Sequence, residues 1–159
     1  MNKPQIILLF GRICSGKTSF KATSSYRIVV SNIVRSLVQS ADRDKLQQTM
    51  HLDERIAEEI VSCLDALTTA ISKNLIQEKV IIVDGIRQPS IVDKVLQWYP
   101  ESELLWMDAP TATRKRRYEA RHADKDIEPF DVADNKPIEL ECQEIYSIFK
   151  DKLNIINNH

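Results

Sequence analysis

Short apolar runs alternate along this chain with segments whose apolar residues recur every three or four positions. "QIILLF" (5–10) is apolar without a break, the pattern of a strand buried on both faces. "YRIVV" (26–30), "KVIIVDG" (79–85), "ELLWMDAP" (103–110) and the terminal "KLNIINN" (152–158) read as four further strands. Between them lie amphipathic helices. Ile33, Val34, Leu37 and Val38 mark one, with Ser31 or Asn32 as its cap. Ile56, Ile60, Leu64, Leu67, Ile71 and Leu75 mark a long one capped by Asp53, and Ile91, Val92, Val95 and Leu96 mark a third from Gln88 to Tyr99. "TATRKRRYEARH" (111–122) is a basic helix, "ADKDIEPFDVAD" (123–134) an acidic connection, and a last helix turns Ile138, Cys142, Ile145 and Phe149 inward. A further helix is expected to open at Gly16–Lys17, while "ADRDKLQQTMH" (41–51) reads as a loop or a frayed helix. Strand–helix alternation without internal repeats predicts an α/β fold with a parallel sheet, built as one domain over residues 1–159.

Composition narrows the class. A chain of 159 residues buries a substantial core without disulfide or metal staples. A formal net charge of -1 gives no global attraction to nucleic acid or to an acidic membrane surface. No apolar run approaches the roughly 20 residues that cross a bilayer, and "MNKPQ" leads into a run too short for a secretory signal. Cys14, Cys63 and Cys142 are too few and too scattered for a disulfide framework or a zinc site, so a reducing, cytoplasmic setting is expected, with Cys63 and Cys142 as core filler. Glycine is scarce: Gly11, Gly16 and Gly85 are the three present, where an average chain of this length has about eleven. Each is expected where a Cβ is not tolerated.

Two of the three glycines fall in "GRICSGKT", residues Gly11 to Thr18, which satisfies G-x-x-x-x-G-K-[ST]. Such a loop, set between a buried strand and a helix, turns successive backbone N–H groups toward one anion and adds the positive end of the helix dipole. Gly11, Arg12, Ile13, Cys14, Ser15, Gly16, Lys17, Thr18 and Ser19 are therefore the candidate cradle for the phosphates of ATP. Lys17 would reach the β- and γ-phosphates and the Thr18 hydroxyl would ligate Mg²⁺. Asp84 ends the strand "VIIVD", where a carboxylate faces the ligand crevice and can share that metal. Basic side chains recur in separate segments. Arg35 follows the second strand, Arg87 stands three residues past Asp84, and Arg114, Arg117 and Arg121 share one helix face. Each alone reads as a surface arginine, and the basic run has Asp124, Asp126 and Asp131 close by as ion-pair partners.

In order along the chain, these motifs resemble the nucleoside monophosphate kinase group of P-loop phosphotransferases, including adenylate-kinase-like and dephospho-CoA-kinase-like proteins. "VVSNIVR" stands where that group has S/T-G-D-x-x-R, "DGIR" where it has its D-G-(x)-x-R, and "DAPTATRKRRYEAR" where its lid begins. The resemblance implies a five-stranded parallel sheet of order 2-3-1-4-5 with helices on both faces, an acceptor region over about 31–75 and a short lid over about 114–135. It assigns Ser31, Arg35, Gly85, Arg87 and Arg121 to an acceptor phosphate, Arg117 to the ATP phosphates, and catalytic roles to Lys17, Asp84, Arg117 and Arg121. Departures from the group include Ser31 and Asn32 in place of Gly-Asp and a lid with no zinc-binding set.

The expected activity is phosphoryl transfer from ATP–Mg²⁺ to a phosphorylated small molecule, a nucleoside or deoxynucleoside monophosphate first among them. A monomer or weak homodimer is expected, with no membrane partner and no strong signal for nucleic acid. Two alternatives stay open. One is a kinase of a hydroxyl acceptor, with Asp84 or Asp108 as base. The other is a regulatory nucleotide-binding protein, although N-K-x-D is missing and "ADNKP" only partly imitates it.

Overall fold

The computed structural model describes residues 3–21, 23–40, 52–122 and 128–158. Strands β1 (Gln5–Gly11), β2 (Tyr26–Val29), β3 (Val80–Asp84), β4 (Glu103–Asp108) and β5 (Leu153–Asn157) form one parallel sheet in the order β2-β3-β1-β4-β5. Helices α1 (Val30–Ser40), α2 (Leu52–Ser72), α3 (Pro89–Trp98), α4 (Thr111–Arg121), α5 (Phe130–Asp134) and α6 (Pro137–Ile148) flank it. The uninterrupted apolar run of β1 places it at the centre, where every residue from Ile6 to Gly11 is buried. Side chains then sort by strand alternation. Ile6, Leu8 and Phe10 join Ile81, Val83, Leu104 and Trp106 in the main core, packed against Ile56, Ile60 and Leu64 of α2, Ile91 and Val95 of α3, and Ile145 of α6. Ile7, Leu9, Ile82 and Leu105 form a smaller cluster on the opposite face, with Phe20 and Ile156 at its margin. No described helix is long and apolar enough to cross a membrane.

Several local expectations change. Asp53 lies inside the first turn of α2, which starts at Leu52, and so does not cap it; Val38 leaves the inward stripe of α1 and is 38% exposed. The helix expected from Gly16 is a single 3-10 turn, Lys17–Ser19, because "KTSFKATSS" offers Phe20 as its one large apolar residue and so no second turn to bury. Ser31 and Asn32 do not cap α1 from outside. The helix starts at Val30, which turns into the core at 3% exposure instead of extending β2. Leu75 leaves the inward stripe of α2 and is 74% exposed. Asn74 adopts a left-handed φ of 56°, while Leu75 N–H donates to the Ala70 carbonyl and Asn74 N–H to that of Ile71, a Schellman closure that ends the helix first. Part of the acidic connection is ordered as α5. Phe130 and Ala133 pack there with Tyr118, Ile13 and Cys14, linking the segment to the phosphate-loop motif. The connection 41–51, together with Asp124 and Asp126, lies outside the described residues.

Candidate functional site

Parallel strands bring the carboxyl ends of β1, β2 and β3 to one edge of the sheet. Leu9 pairs with Asp84, and Asp84 with Val29, so the "VIIVD" carboxylate sits one strand away from the motif loop. Above this edge opens a cleft of about 1170 Å³. From the motif it is lined by Ile13, Cys14, Gly16, Lys17, Thr18 and Ser19. From the second strand and α1 come Ser31 and Arg35, from the β3–α3 turn Asp84, Gly85 and Arg87, and from α4 Arg117 and Arg121. Residues assigned to two phosphates from segments more than a hundred positions apart thus share one cavity. Gly11, Arg12 and Ser15 do not line it. Gly11 closes β1 beneath the loop, Ser15 is 1% exposed, and the Arg12 guanidinium turns outward to Asp134.

The loop's shape requires its glycine. Gly16 has φ 100°, and a Cβ there would lie 1.9 Å from the Asn158 amide, which itself donates to the Ser15 carbonyl at 3.0 Å. Gly85 has φ 101°, the bend that swings Arg87 over the cleft. Cys14, at φ 59°, holds a left-handed conformation without being glycine, a local strain of about 1–2 kcal/mol.

Lys17 extends its ammonium to the Gly11 carbonyl at 2.7 Å. Burial, and secondarily the Arg87 guanidinium, hold its pKa below the usual lysine value of 10.5. The Cys142 thiol donates to the same carbonyl at 3.8 Å and has a raised pKa, chiefly from burial. Arg117 donates to the Cys14 carbonyl at 3.1 Å, and Arg121 approaches the Cys14 sulfur at 3.7 Å, so α4 already rests on the loop. Arg35 stands exposed at the far end of the cleft, with a 3.5 Å contact to the Asn32 amide oxygen. Arg114, on α4 with Arg117 and Arg121, does not line the cleft. It is 2% exposed and donates to Asp134 at 2.7 and 3.3 Å, tying α4 to α5. Its partner is Asp134 and not the nearby Asp131, whose side chain is exposed.

Three positions that support the candidate site are not marked by any sequence motif. Arg27 on β2 pairs with Asp84 Oδ2 at 2.8 Å and donates to the carbonyls of Lys17, at 3.1 Å, and Phe20. A continuing α-helix would satisfy such carbonyls with its own N–H groups; here the guanidinium takes that of Phe20 and shares that of Lys17 with the Phe20 N–H. A charged residue inside an otherwise apolar strand was the available signal. Asp134 pairs with both Arg12 and Arg114. Glu139, 3% exposed, accepts the Ile13 N–H at 3.3 Å and forms an ion pair with Arg87. Its signal was its place three residues before Cys142, on the inward stripe of α6.

Among the described residues no cluster of three or more His, Cys, Asp or Glu could cage a metal ion. Thr18 and Asp84 offer oxygen donors at the cleft, and Arg27 occupies only one carboxylate oxygen. One carboxylate and one hydroxyl completed by substrate phosphates is a donor set that suits Mg²⁺.

No known protein family is matched by the chain, and no curated protein sequence matches it. Solved structures do share its architecture. TT1252 from Thermus thermophilus is 16% identical, with 99% of this chain and 90% of that one covered, at a TM-score of 0.50. A chain of the Pnkp1/Rnl/Hen1 RNA repair complex is 16% identical at TM-score 0.59, covering 94% of this chain but 47% of its own length. Shikimate kinase from Bacteroides thetaiotaomicron is 14% identical at TM-score 0.54, with 96% and 86% covered. At such identities the likeness is one of fold: this is a P-loop, kinase-like fold.

Proposed function

We propose that the chain is an ATP-dependent phosphotransferase whose acceptor already carries a phosphate, a nucleoside or deoxynucleoside monophosphate in the first instance. One observation carries the reading. Among the described residues, Lys17, Arg35, Arg87, Arg117 and Arg121 line the cleft against a single carboxylate, Asp84, which is itself neutralised by Arg27. Such an excess of cations suits two phosphorylated ligands better than one. The volume of about 1170 Å³ also exceeds the roughly 300–1,000 Å³ of ordinary single-ligand pockets.

In this reading Lys17 and Arg117 bind the donor phosphates, with the loop N–H groups beneath them. Arg35, Arg87 and Arg121 orient the acceptor phosphate in line with the γ-phosphorus. An oxygen of the acceptor phosphate bonds to that phosphorus as its bond to the β–γ bridging oxygen breaks, giving ADP and a diphosphate. The attacking oxygen is already ionised, so no base is required. When bound, Mg²⁺, held by Thr18 and Asp84, neutralises charge on the β- and γ-phosphates.

The likeness in fold to a shikimate kinase supports a second reading, a hydroxyl acceptor with Asp84 as base. Against it stands the ion pair that engages Asp84. Purified protein with ATP–Mg²⁺ should release ADP in proportion to one member of a panel of ribo- and deoxynucleoside monophosphates. Dephospho-CoA, shikimate and a short RNA belong in the same panel. ADP released only with one of these favours the second reading. Slow hydrolysis indifferent to every acceptor removes both and leaves a regulatory nucleotide-binding protein.

A further inference from the structure

Two buried carboxylates hold arginines beside the motif loop, and they differ in a telling way. In the pair between Arg114 and Asp134 both side chains are sealed, at 3% and 7% exposure. In the pair between Arg87 and Glu139 the acidic side chain is sealed at 4% while the arginine side chain remains 33% exposed and Arg87 lines the cleft. The first pair is a staple. The second engages one terminal nitrogen of a five-donor fork, on a residue that lines the cleft. Glu139 has a second partner on the donor side, the Ile13 N–H at 3.3 Å, and Ile13 lines the same cleft.

We propose that Glu139 is a positioning residue for phosphate binding: its buried carboxylate grips Arg87 by one edge, turns the remaining N–H groups toward the acceptor phosphate, and registers that arginine against the donor loop through Ile13. The inference rests on the assignment of Arg87 to the acceptor phosphate. The alternative role, a built-in competitor that the phosphate displaces, is disfavoured by burial. A displaced Glu139 would keep an uncompensated charge away from water, so Arg87 gains by holding carboxylate and phosphate together.

A double-mutant cycle on the full chain tests this, with ADP–Mg²⁺ and inorganic phosphate as probes and calorimetry and thermal shift as readouts. Phosphate is titrated onto the ADP-saturated protein. Glu139→Gln is expected to lower phosphate affinity at least tenfold while ADP affinity changes less than threefold. Arg87→Ala is expected to lose phosphate affinity as fully, and the double variant to be no worse than Arg87→Ala alone. A merely structural Glu139 would lower the melting temperature and leave phosphate affinity unchanged, or add its loss to that of Arg87→Ala. Either result overturns the proposal, as does tighter phosphate binding in Glu139→Gln, the mark of a competitor. If Glu139→Gln does not fold, Glu139→Asp decides. Its charge is kept but its reach is one methylene shorter, so phosphate affinity should fall with ADP affinity retained, and wild-type phosphate affinity refutes the idea. An Arg87→Ala variant that binds phosphate normally overturns the acceptor assignment itself, whereas loss in Arg87→Ala without loss in Glu139→Gln overturns only the role of Glu139.

Discussion

Removing the Asp134 carboxylate should be the most damaging single change outside the main core. Asp134 is 5% exposed and accepts from Arg12 at 2.7 Å and from Arg114 at 2.7 and 3.3 Å. In Asp134→Ala, Arg12 can turn to water, since its side chain is already 28% exposed. Arg114 cannot, at 3%. Breaking a buried pair from one side costs about 3–5 kcal/mol, which in a domain of this size lowers the melting temperature by about 6–20 °C. The loss should extend to ligand binding. Arg117 sits one turn beyond Arg114 and donates to the Cys14 carbonyl, so loosening α4 withdraws a cation from the phosphates. Thermal denaturation with and without ADP–Mg²⁺ measures both effects. The paired substitution Asp134→Leu with Arg114→Met removes both charges and should recover most of the stability. A loss below about 1 kcal/mol in Asp134→Ala, the value of an exposed pair, would refute the claim that this contact anchors α4 to α5.

Other predictions concern the loop and its supports. Gly16→Ala should abolish the thermal shift given by ADP, because its Cβ meets the Asn158 amide at 1.9 Å and its φ of 100° disfavours any side chain. Lys17 has a pKa below 10.5, so ADP affinity should fall as pH rises through that lowered value, a limb absent in Lys17→Ala. The same shift sets a stability sign. The unfolded chain holds the Lys17 proton up to a higher pH, so the contribution of this residue to stability is present above 10.5 and lost as pH falls through the lowered pKa. Lys17→Met should therefore raise the melting temperature of the ligand-free protein at neutral pH. Arg27→Leu should cost about 3 kcal/mol or more in chemical denaturation, since it strands the Asp84 carboxylate, 13% exposed, and takes a donor from the Phe20 carbonyl.

The frame of this molecule was legible because its signals are local or ordered along the chain. Continuous apolar runs located the strands, "GRICSGKT" marked the phosphate loop, and "VIIVDGIR" placed Asp84 and Arg87 at the adjacent strand's end. Strand order came from the resemblance, and the pairing of Leu9 with Asp84 agrees with it. The partners of the arginines were not legible, because ion pairing follows three-dimensional proximity. Arg12 meets Asp134 across 122 positions and Arg87 meets Glu139 across 52. Nothing in a run of acidic residues distinguishes Asp134 from Asp131 until Phe130 and Ala133 are seen to bury that side of α5. The 3-10 turn after the loop was legible in principle, since "KTSFKATSS" lacks an apolar stripe, but the motif's usual helix dominated the expectation.

Two phosphate subsites in one cleft is the central claim, and a dinucleoside pentaphosphate tests it most directly, since one molecule spans both. Calorimetry should show one molecule bound per chain, at least a hundredfold tighter than ADP, with affinity lost in both Lys17→Ala and Arg87→Ala. Binding no tighter than ADP, and indifferent to Arg87→Ala, would contradict the account.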